Sequence, residues 1–362
     1  MSRELISFGE AMIRYAPADD SRSASDRHKP TLFLRSVGGD ELNVCVALCQ
    51  LGRQARWCSV LPEGPMGQVI MDSALDCGVD TSAVLATDGA DVGTFTVLPE
   101  QRTVHYQRRR SAFSLHDPGR FAWSDLLAGP SQQHWLHMTG ITPMIAEAPR
   151  TSWHAALRTA RDKGIPCSMD LNHRAQLGPL SELMQCVQPH LKDLQVFVVA
   201  LDSLRQLAEL NGLTSANEDD DGTHASQIRR MQDVAKHLGV KRLVCCFKSR
   251  DAESGGTQKR WSVLCTLDGG VFSTEPVYIH HRPADQLGGG SAWMAGFIDY
   301  CLEHGLDAAL STSSGLVAAL RRSDMLAALC QESIGDHSTV TRQELSKMET
   351  KYESMPADFL KQ

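Results

Sequence analysis

Asp285-Gln286-Leu287-Gly288-Gly289-Gly290-Ser291-Ala292-Trp293-Met294-Ala295-Gly296 follows a β-rich run, Trp261 to Ile279. It leads into a segment in which Ala292, Ala295, Gly296, Ile298 and Cys301 recur at helical spacing up to a stop near Gly305. Three consecutive glycines between a strand and a helix let successive backbone N–H groups converge on an anion, and the helix N-terminus adds the positive end of its dipole. A tight strand-to-helix turn uses the same residues. The rest of the chain decides between the two readings.

Working outward, apolar β-type runs alternate with helical patterns. His134 to Met138, Ile165 to Leu171, Leu194 to Val199 and Arg242 to Phe247 read as strands. Trp153 to Lys163, Leu180 to Leu191, Ser203 to Leu210 and Ala225 to Leu238 read as the helices between them. Near the N-terminus, Leu5 to Phe8 is a short buried strand, and Gly38-Gly39-Asp40-Glu41-Leu42-Asn43 opens a helix that Gly52 stops. Trp57 to Leu61 is a strand, and the helix marked by Val69, Ile70, Ala74 and Leu75 ends at Gly78. Repeated β-α units of this size imply an α/β fold, a mostly parallel sheet covered by helices on both faces.

Two stretches break the alternation. Residues 18–30 are polar and turn-rich, and Thr94 to Leu98 with Thr103 to Tyr106 reads as a β-hairpin that projects as a flap. The acidic run Asn217 to Gly222 reads as a solvated loop, its carboxylates being sequential rather than spaced as metal ligands are. After the glycine turn two helices are expected, to Glu303 and from Leu306 to Arg321, followed by a polar tail with one helix from Arg342 to Tyr352.

Bulk composition excludes several classes. With 362 residues and a formal charge of −7, nucleic acid and acidic membranes are poor partners. The 11 cysteines form no CxxC pair and no zinc spacing, which favours buried thiols over a disulfide framework. No run approaches a membrane span, and the first residues lack a signal-peptide core, so a cytoplasmic protein is expected. No GxGxxG follows the first strand, which argues against a dinucleotide-dependent oxidoreductase.

In an open α/β sheet, ligands sit beyond the C-terminal ends of the strands. Gly9-Glu10, Gly38-Gly39 with Asn43, Asp170-Leu171-Asn172-His173-Arg174 and the glycine turn are all expected at such ends. Each suits a cap or a turn when taken alone; together they suggest one cleft. An Arg beside an amide, as in Arg174 and Asn172, suits a carboxylate or a hydroxyl-rich ligand because the planar guanidinium binds bidentately. Arg108-Arg109-Arg110, after the flap's Tyr106, is a second cationic group.

The ordered series Gly9-Glu10, Gly38-Gly39-x-x-x-Asn43, Gly64-x-x-Gly67, Cys77-Gly78-Val79-Asp80, Asp170-x-Asn172 and Asp285-x-x-Gly288-Gly289-Gly290 resembles the ribokinase-like (PfkB) carbohydrate kinases. Tyr106-Gln107-Arg108, Ser111 to Ser114, Thr139 to Pro143 and Asp170 to Arg174 make it most similar to the 2-keto-3-deoxygluconate kinases among them. The resemblance implies a three-layer α/β/α domain over residues 1–321 with a small β-lid from about 11–37 and 92–112, and a C-terminal helical extension over 322–362. It also implies a homodimer through the lid, with a sugar acid bound between lid and sheet and Mg²⁺-ATP as phosphoryl donor. By the same resemblance, Glu10, Gly38, Gly39, Asn43, Phe95, Tyr106, Arg108, Asn172 and Arg174 are substrate residues. Gly288, Gly289 and Gly290 form the anion hole, and Asp202, Lys248 and Asp285 face the nucleotide; no residue is assigned as a metal ligand.

The chain departs from the family pattern where phosphoryl transfer is done. The family places Asp directly after the glycines as general base; here that position is Ser291. A hydroxyl lacks the proton affinity of a carboxylate, and a positioned base is worth about 10²–10⁴-fold in rate. The Asn of the family's Asn-x-x-Glu/Asp segment is Val199, leaving only Asp202, and the lid position often held by Tyr is Phe95. Two departures in the transfer machinery, with the sugar side kept, point to a kinase fold of weak or lost turnover. The alternative is an active kinase with a displaced base, for which Asp285, His280 and His281 are the candidates.

Overall fold

The computed structural model describes residues 4–18, 32–98, 103–131, 134–213, 223–250, 258–279 and 287–354. Strand β1 (Glu4–Phe8) leads directly into β2 (Met12–Pro17), which pairs with β3 (Phe33–Gly38). Then come α1 (Asp40–Gln50), β4 (Gln54–Pro62), α2 (Pro65–Asp76) and β5 (Val84–Thr87). The expected hairpin is β6 (Thr94–Leu98) and β7 (Thr103–Gln107). Strand and helix alternate again through α3 (Trp123–Leu126), β8 (His134–Thr139), α4 (Thr142–Ile145), α5 (Glu147–Asp162), β9 (Cys167–Asp170) and α6 (Leu180–Val187). The alternation continues with β10 (Leu194–Val199), α7 (Leu201–Leu210), α8 (His224–Leu238) and β11 (Arg242–Arg250). The chain closes with β12 (Gln258–Thr266), β13 (Val271–Ser273), β14 (Val277–Ile279), α9 (Gly289–His304), α10 (Leu306–Leu310), α11 (Ser313–Cys330) and α12 (Arg342–Glu353).

The large sheet runs β13-β12-β11-β10-β9-β8-β1-β4-β5, with β14 on β12. It is parallel from β11 to β5 and antiparallel only at the β12 edge. Along β1, Leu5 faces one core and Ile6 and Phe8 the other, and all three are fully buried. Each such side chain contributes about 1.5–3 kcal/mol relative to exposure. Helices α1, α9 and α11 fill the first side; α5 to α8 fill the second. The arrangement is the expected three-layer α/β/α fold.

A second sheet, β3-β2-β6-β7, forms the flap. Most of the polar run 18–30 lies outside the described residues, as does the acidic run at 217–222. Because the parallel strands β1, β4 and β8 to β11 share a direction, Gly9-Glu10, Thr139, Asp170 and Ala200 all emerge at one sheet edge. Thr139 and Asp170 are register partners there.

Several helix limits differ from the sequence reading. The helix expected over Leu180 to Leu191 stops at Val187 and continues as a 3₁₀ turn, Gln188–Asp193, where Pro189 cannot donate the next helical hydrogen bond. The helix expected over Leu306 to Arg321 is two, because the Thr312 side chain accepts from Gly315 N and starts a new one. That second helix runs through Arg322, Ser323 and Asp324, all buried, so the boundary expected at residue 321 falls inside α11. Gly296 admits α11 to α9: a Cβ there would lie 2.7 Å from Ser323 Cα.

The tail is bound in as well. Arg342 donates to Asp299 Oδ2 at 2.7 Å and to Leu51 O at 3.0 Å, while Leu345 and Tyr352 are buried. Burial alone would raise Asp299, but Arg342 and then Arg53 outweigh it and hold its carboxyl below the usual range.

Candidate active site

A cleft of ≈ 350 Å³ opens where the flap meets the edge of the large sheet. The residues around it come from separate parts of the chain: Glu10 after β1, Gly39 to Asn43 at the start of α1, Phe95, Tyr106, Arg108 and Arg109 in the flap, Ile141 after β8, Asp170 to Leu177 from the end of β9 onward, and Leu287 to Ser291 at the start of α9. The glycine turn and both arginines singled out in the sequence therefore share one cavity. Asp336, from the tail, lines it too.

The glycines of the turn answer to different constraints. Gly288 has φ +77°, and a Cβ there would meet Asp336 O at 2.4 Å. A Cβ on Gly289 would meet Gln331 Nε2 at 2.8 Å, whereas Gly290 faces open space. Gly290 is thus the position at which backbone meets the cleft, at the N-terminus of a 16-residue helix. Gly38, at the end of β3, is crowded in the same way: its Cβ would lie 2.3 Å from Asp336 Oδ2 and 3.1 Å from Phe95 Cζ. Asn43 is buried, and its Oδ1 accepts from Gly39 N at 3.4 Å, so it holds the Gly38-Gly39 bend as well as lining the cleft.

The two arginines differ. Arg108 is buried, donates through Nε to Glu10 Oε2 at 2.6 Å, and lies over the Tyr106 ring at 5.8 Å. Its charge is already matched by Glu10, whose Oε1 is buried without a protein partner among the described residues. Tyr106 packs on Phe95 with ring centroids 5.8 Å apart. Arg174 is 41 % exposed, and its nearest carboxylate is Asp40, 3.9 Å away. It is the guanidinium with capacity for an incoming anion.

Between Asn172 with Arg174 and the glycine turn sits Asp40, the first residue of α1. Its Oδ1 accepts from Ser291 Oγ at 2.6 Å and its Oδ2 from Asn172 Nδ2 at 2.7 Å. Asn172 has φ +44°, the one non-glycine residue with positive φ among those described, in a turn closed by its N–H donating to Asp170 Oδ1 at 3.0 Å.

Two more carboxylates stand close. Burial pushes Glu41 up to about 7, with Thr139 pulling the other way and the charge of Asp40 adding to the rise. Burial and then the charge of Asp40 push Asp170 up to about 7 against Arg174. Glu41 Oε1 is held by Thr139 Oγ1 at 2.7 Å and Thr142 Oγ1 at 2.8 Å.

Of the residues expected at the nucleotide, Asp202 and Lys248 do not line this cleft. Asp202 opens α7 with its side chain 89 % exposed and Arg205 3.6 Å away. Lys248 lies on β11 opposite Arg260. Asp285, His280 and His281 lie outside the described residues.

Comparison with known proteins agrees with this architecture. The model of the pfkB family carbohydrate kinases matches residues 2–242. The chain belongs to the pfkB carbohydrate kinase family. A 2-dehydro-3-deoxygalactonokinase of Haloferax volcanii is 29 % identical over 267 residues, covering 71 % of this chain and 81 % of that one. The crystal structure of 2-dehydro-3-deoxygluconokinase from Thermotoga maritima superposes with TM-score 0.78 at 22 % identity, over 96 % of this chain and 99 % of that one. A fructokinase with bound ATP from Xylella fastidiosa gives TM-score 0.76 at 19 % identity, over 98 % and 100 %. These structural likenesses establish the ribokinase-like α/β fold.

Within this PfkB chain, sequence reasoning missed Asp40, Glu41 and Asp336. Asp40 and Glu41 read as ordinary acidic residues in the first turn of a helix, and Asp336 sat in a tail with no motif. Each of the 11 cysteines is a free thiol. Among the described residues no helix is long and apolar enough to cross a membrane.

Proposed function

We propose that this PfkB chain binds a 2-keto-3-deoxy sugar acid between flap and sheet and phosphorylates its terminal hydroxyl from ATP, at a rate held down by Ser291. The observation that carries this reading is the single cleft shared by Arg108, Arg174 and the glycine turn of α9. Arg174 takes the carboxylate, Asn172 and the Glu10–Arg108 pair take hydroxyls, and Phe95 and Tyr106 cover the carbon chain. Gly290 N–H and its neighbours receive the γ-phosphate, whose charge the dipole of α9 offsets. Among the described residues no group of three or more His, Cys, Asp or Glu side chains could hold a metal. On this reading Mg²⁺ arrives on the nucleotide's phosphates, as this hard, strongly hydrated ion commonly does. The relatives' names support the substrate class.

The second reading is a sugar-acid binding protein without turnover, favoured by Ser291 and Val199. Calorimetric titration with 2-keto-3-deoxygluconate and 2-keto-3-deoxygalactonate, run beside an ADP-release assay on wild type and Ser291→Asp, separates the two. Saturable binding with slow ADP release is the expected result, and Ser291→Asp raises kcat toward the about 10²–10⁴-fold that a positioned base supplies. Binding with no ADP release by wild type favours the second reading. Absence of both binding and turnover removes the sugar-acid reading altogether.

A further inference from the structure

The position after the glycines has lost its acid, yet the cleft beside it has not. Ser291 Oγ donates to Asp40 Oδ1 at 2.6 Å, across 251 residues of chain, and both residues line the cavity that Gly290 opens into. Asp40 is fixed from its other side by Asn172 Nδ2 at 2.7 Å, with Arg174 at 3.9 Å. A carboxylate whose two oxygens receive separate donors, at the N-terminus of α1, is positioned to accept rather than to give a proton. The other carboxylates nearby are engaged differently: Glu41 is buried behind Thr139 and Thr142, Asp170 Oδ1 closes the Asn172 turn, and Glu10 pairs with Arg108.

We propose that Asp40 is the terminal proton acceptor of the transfer step, reached through the Ser291 hydroxyl. This rests on the kinase reading above. As the acceptor alcohol's oxygen forms its bond to the γ-phosphorus, its proton passes to Ser291 Oγ while Ser291 passes its own proton to Asp40 Oδ1. The bond from the γ-phosphorus to the bridging oxygen breaks, and ADP leaves with that electron pair. Ser291 is neutral before and after; Asp40 ends as the carboxylic acid and returns the proton to solvent. The hydroxyl is a conduit, and the proton affinity comes from the carboxylate behind it. A relay through two oxygens requires two alignments at once, which is why the rate falls below that of a carboxylate in direct contact.

The test is a set of variants read by kcat, KM and calorimetric affinity for 2-keto-3-deoxygluconate and 2-keto-3-deoxygalactonate: Asp40→Asn, Ser291→Ala, Ser291→Asp, and Asp40→Asn combined with Ser291→Asp. Asparagine keeps the shape of Asp40 and an acceptor for Ser291 while removing proton affinity. In the wild-type background Asp40→Asn is expected to lower kcat by about 10²-fold or more with sugar-acid affinity changed by less than about tenfold. With Asp at 291 the same substitution is expected to cost less than about tenfold, a non-additivity that a purely structural role for Asp40 does not produce. Ser291→Ala should lower kcat as well. Equal penalties for Asp40→Asn in the two backgrounds, an unchanged kcat in the wild-type background, or turnover seen only with Asp at 291 would each overturn the relay. Ser291→Asp that binds a sugar acid yet never turns over removes the kinase reading instead, so the two failures are distinguishable.

Discussion

The carbonyl of Asp336 stands 2.4 Å from where a Cβ on Gly288 would be, so the tail is the wall against which the glycine turn is built. The same residue's carboxylate accepts from Arg14 Nη1 at 2.7 Å, on strand β2 of the flap. A single residue, Asp336, from beyond the expected domain boundary thus touches the flap and the glycine turn at once. Any shift of the flap that moves Arg14 pulls on the residue that shapes the turn.

Gly288 and Gly290 should therefore respond oppositely to alanine. Gly288→Ala places a Cβ on the Asp336 carbonyl at positive φ and is expected to cost on the order of 2 kcal/mol or more, read as a lowered Tm. Gly290→Ala meets nothing in the protein and is expected to leave Tm within a few degrees. Its methyl enters the cleft, so activity should fall while stability holds. Equal loss of Tm in both would show that the turn is not braced on Asp336.

The arginines should also separate. Arg108→Ala leaves the buried Glu10 carboxylate without its counter-ion, a loss of about 3–5 kcal/mol for a broken buried pair. Arg174 is partly exposed and its contact with Asp40 is long, so Arg174→Ala is expected to change stability by less than about 0.5 kcal/mol. Its effect belongs in ligand affinity. Loss of a charge-assisted bond worth about 1.5–3 kcal/mol raises the sugar-acid Kd more than tenfold. An Arg174→Ala protein with unchanged affinity would move the carboxylate away from Arg174.

Much of this architecture was legible because it repeats. Strands β8 to β11 are apolar runs bounded by helices, and parallel strands place every strand's exit on one edge. The glycine turn, Asn172 and Arg174 could be placed there before any coordinates. Contacts that tie distant segments carry no such pattern. Asp40 looks like any acid favouring a helix N-terminus, and its partner Ser291 is reached only when α1 and α9 pack together. Arg108 read as a clamp for a ligand, but its contact with Glu10 depends on how β7 of the flap lies against the end of β1. The tail read as a polar extension because anchors such as the buried Asp336 and the half-buried Arg342 are charged, and charge in sequence reads as surface.

Ionisation of two buried carboxylates should cost stability as pH rises between the acidic range and neutrality. Glu41 and Asp170 are raised from ordinary carboxylate values to about 7 by burial. Between its unfolded value near 4 and about 7, each of these carboxyls is protonated more in the folded than in the unfolded state, so its own contribution to the slope of unfolding free energy against pH is negative; the imidazoles of His137, His190 and His337, lowered to about 4 by burial, contribute with the opposite sign. Asp299, held below the usual range, acts only at lower pH. Glu41→Gln keeps an acceptor for Thr139 and Thr142 and removes one of the two titrations. Urea unfolding at pH 5 and pH 8 should show the variant gaining on wild type at pH 8 and not at pH 5. A gain of equal size at both values would mean that Glu41 ionises normally.

The flap's outer edge bears on assembly. Among the described residues β3 pairs only with β2 within its sheet, and Leu32, Phe33 and Leu34 at its start are 77, 42 and 46 % exposed. An edge strand with adjacent exposed apolar side chains invites pairing with another chain unless something covers it. A homodimer through the flap, as proposed from the family resemblance, would cover it. Phe33→Glu combined with Leu34→Glu should then convert a dimer to a monomer in size-exclusion chromatography with light scattering, leaving the Tm of the monomer near that of a dilute wild type. Because β3 ends at Gly38, against Asp336 and Phe95, the monomeric variant is also expected to bind the sugar acid more weakly. A wild type that runs as a monomer at all concentrations would leave this edge without the partner proposed for it.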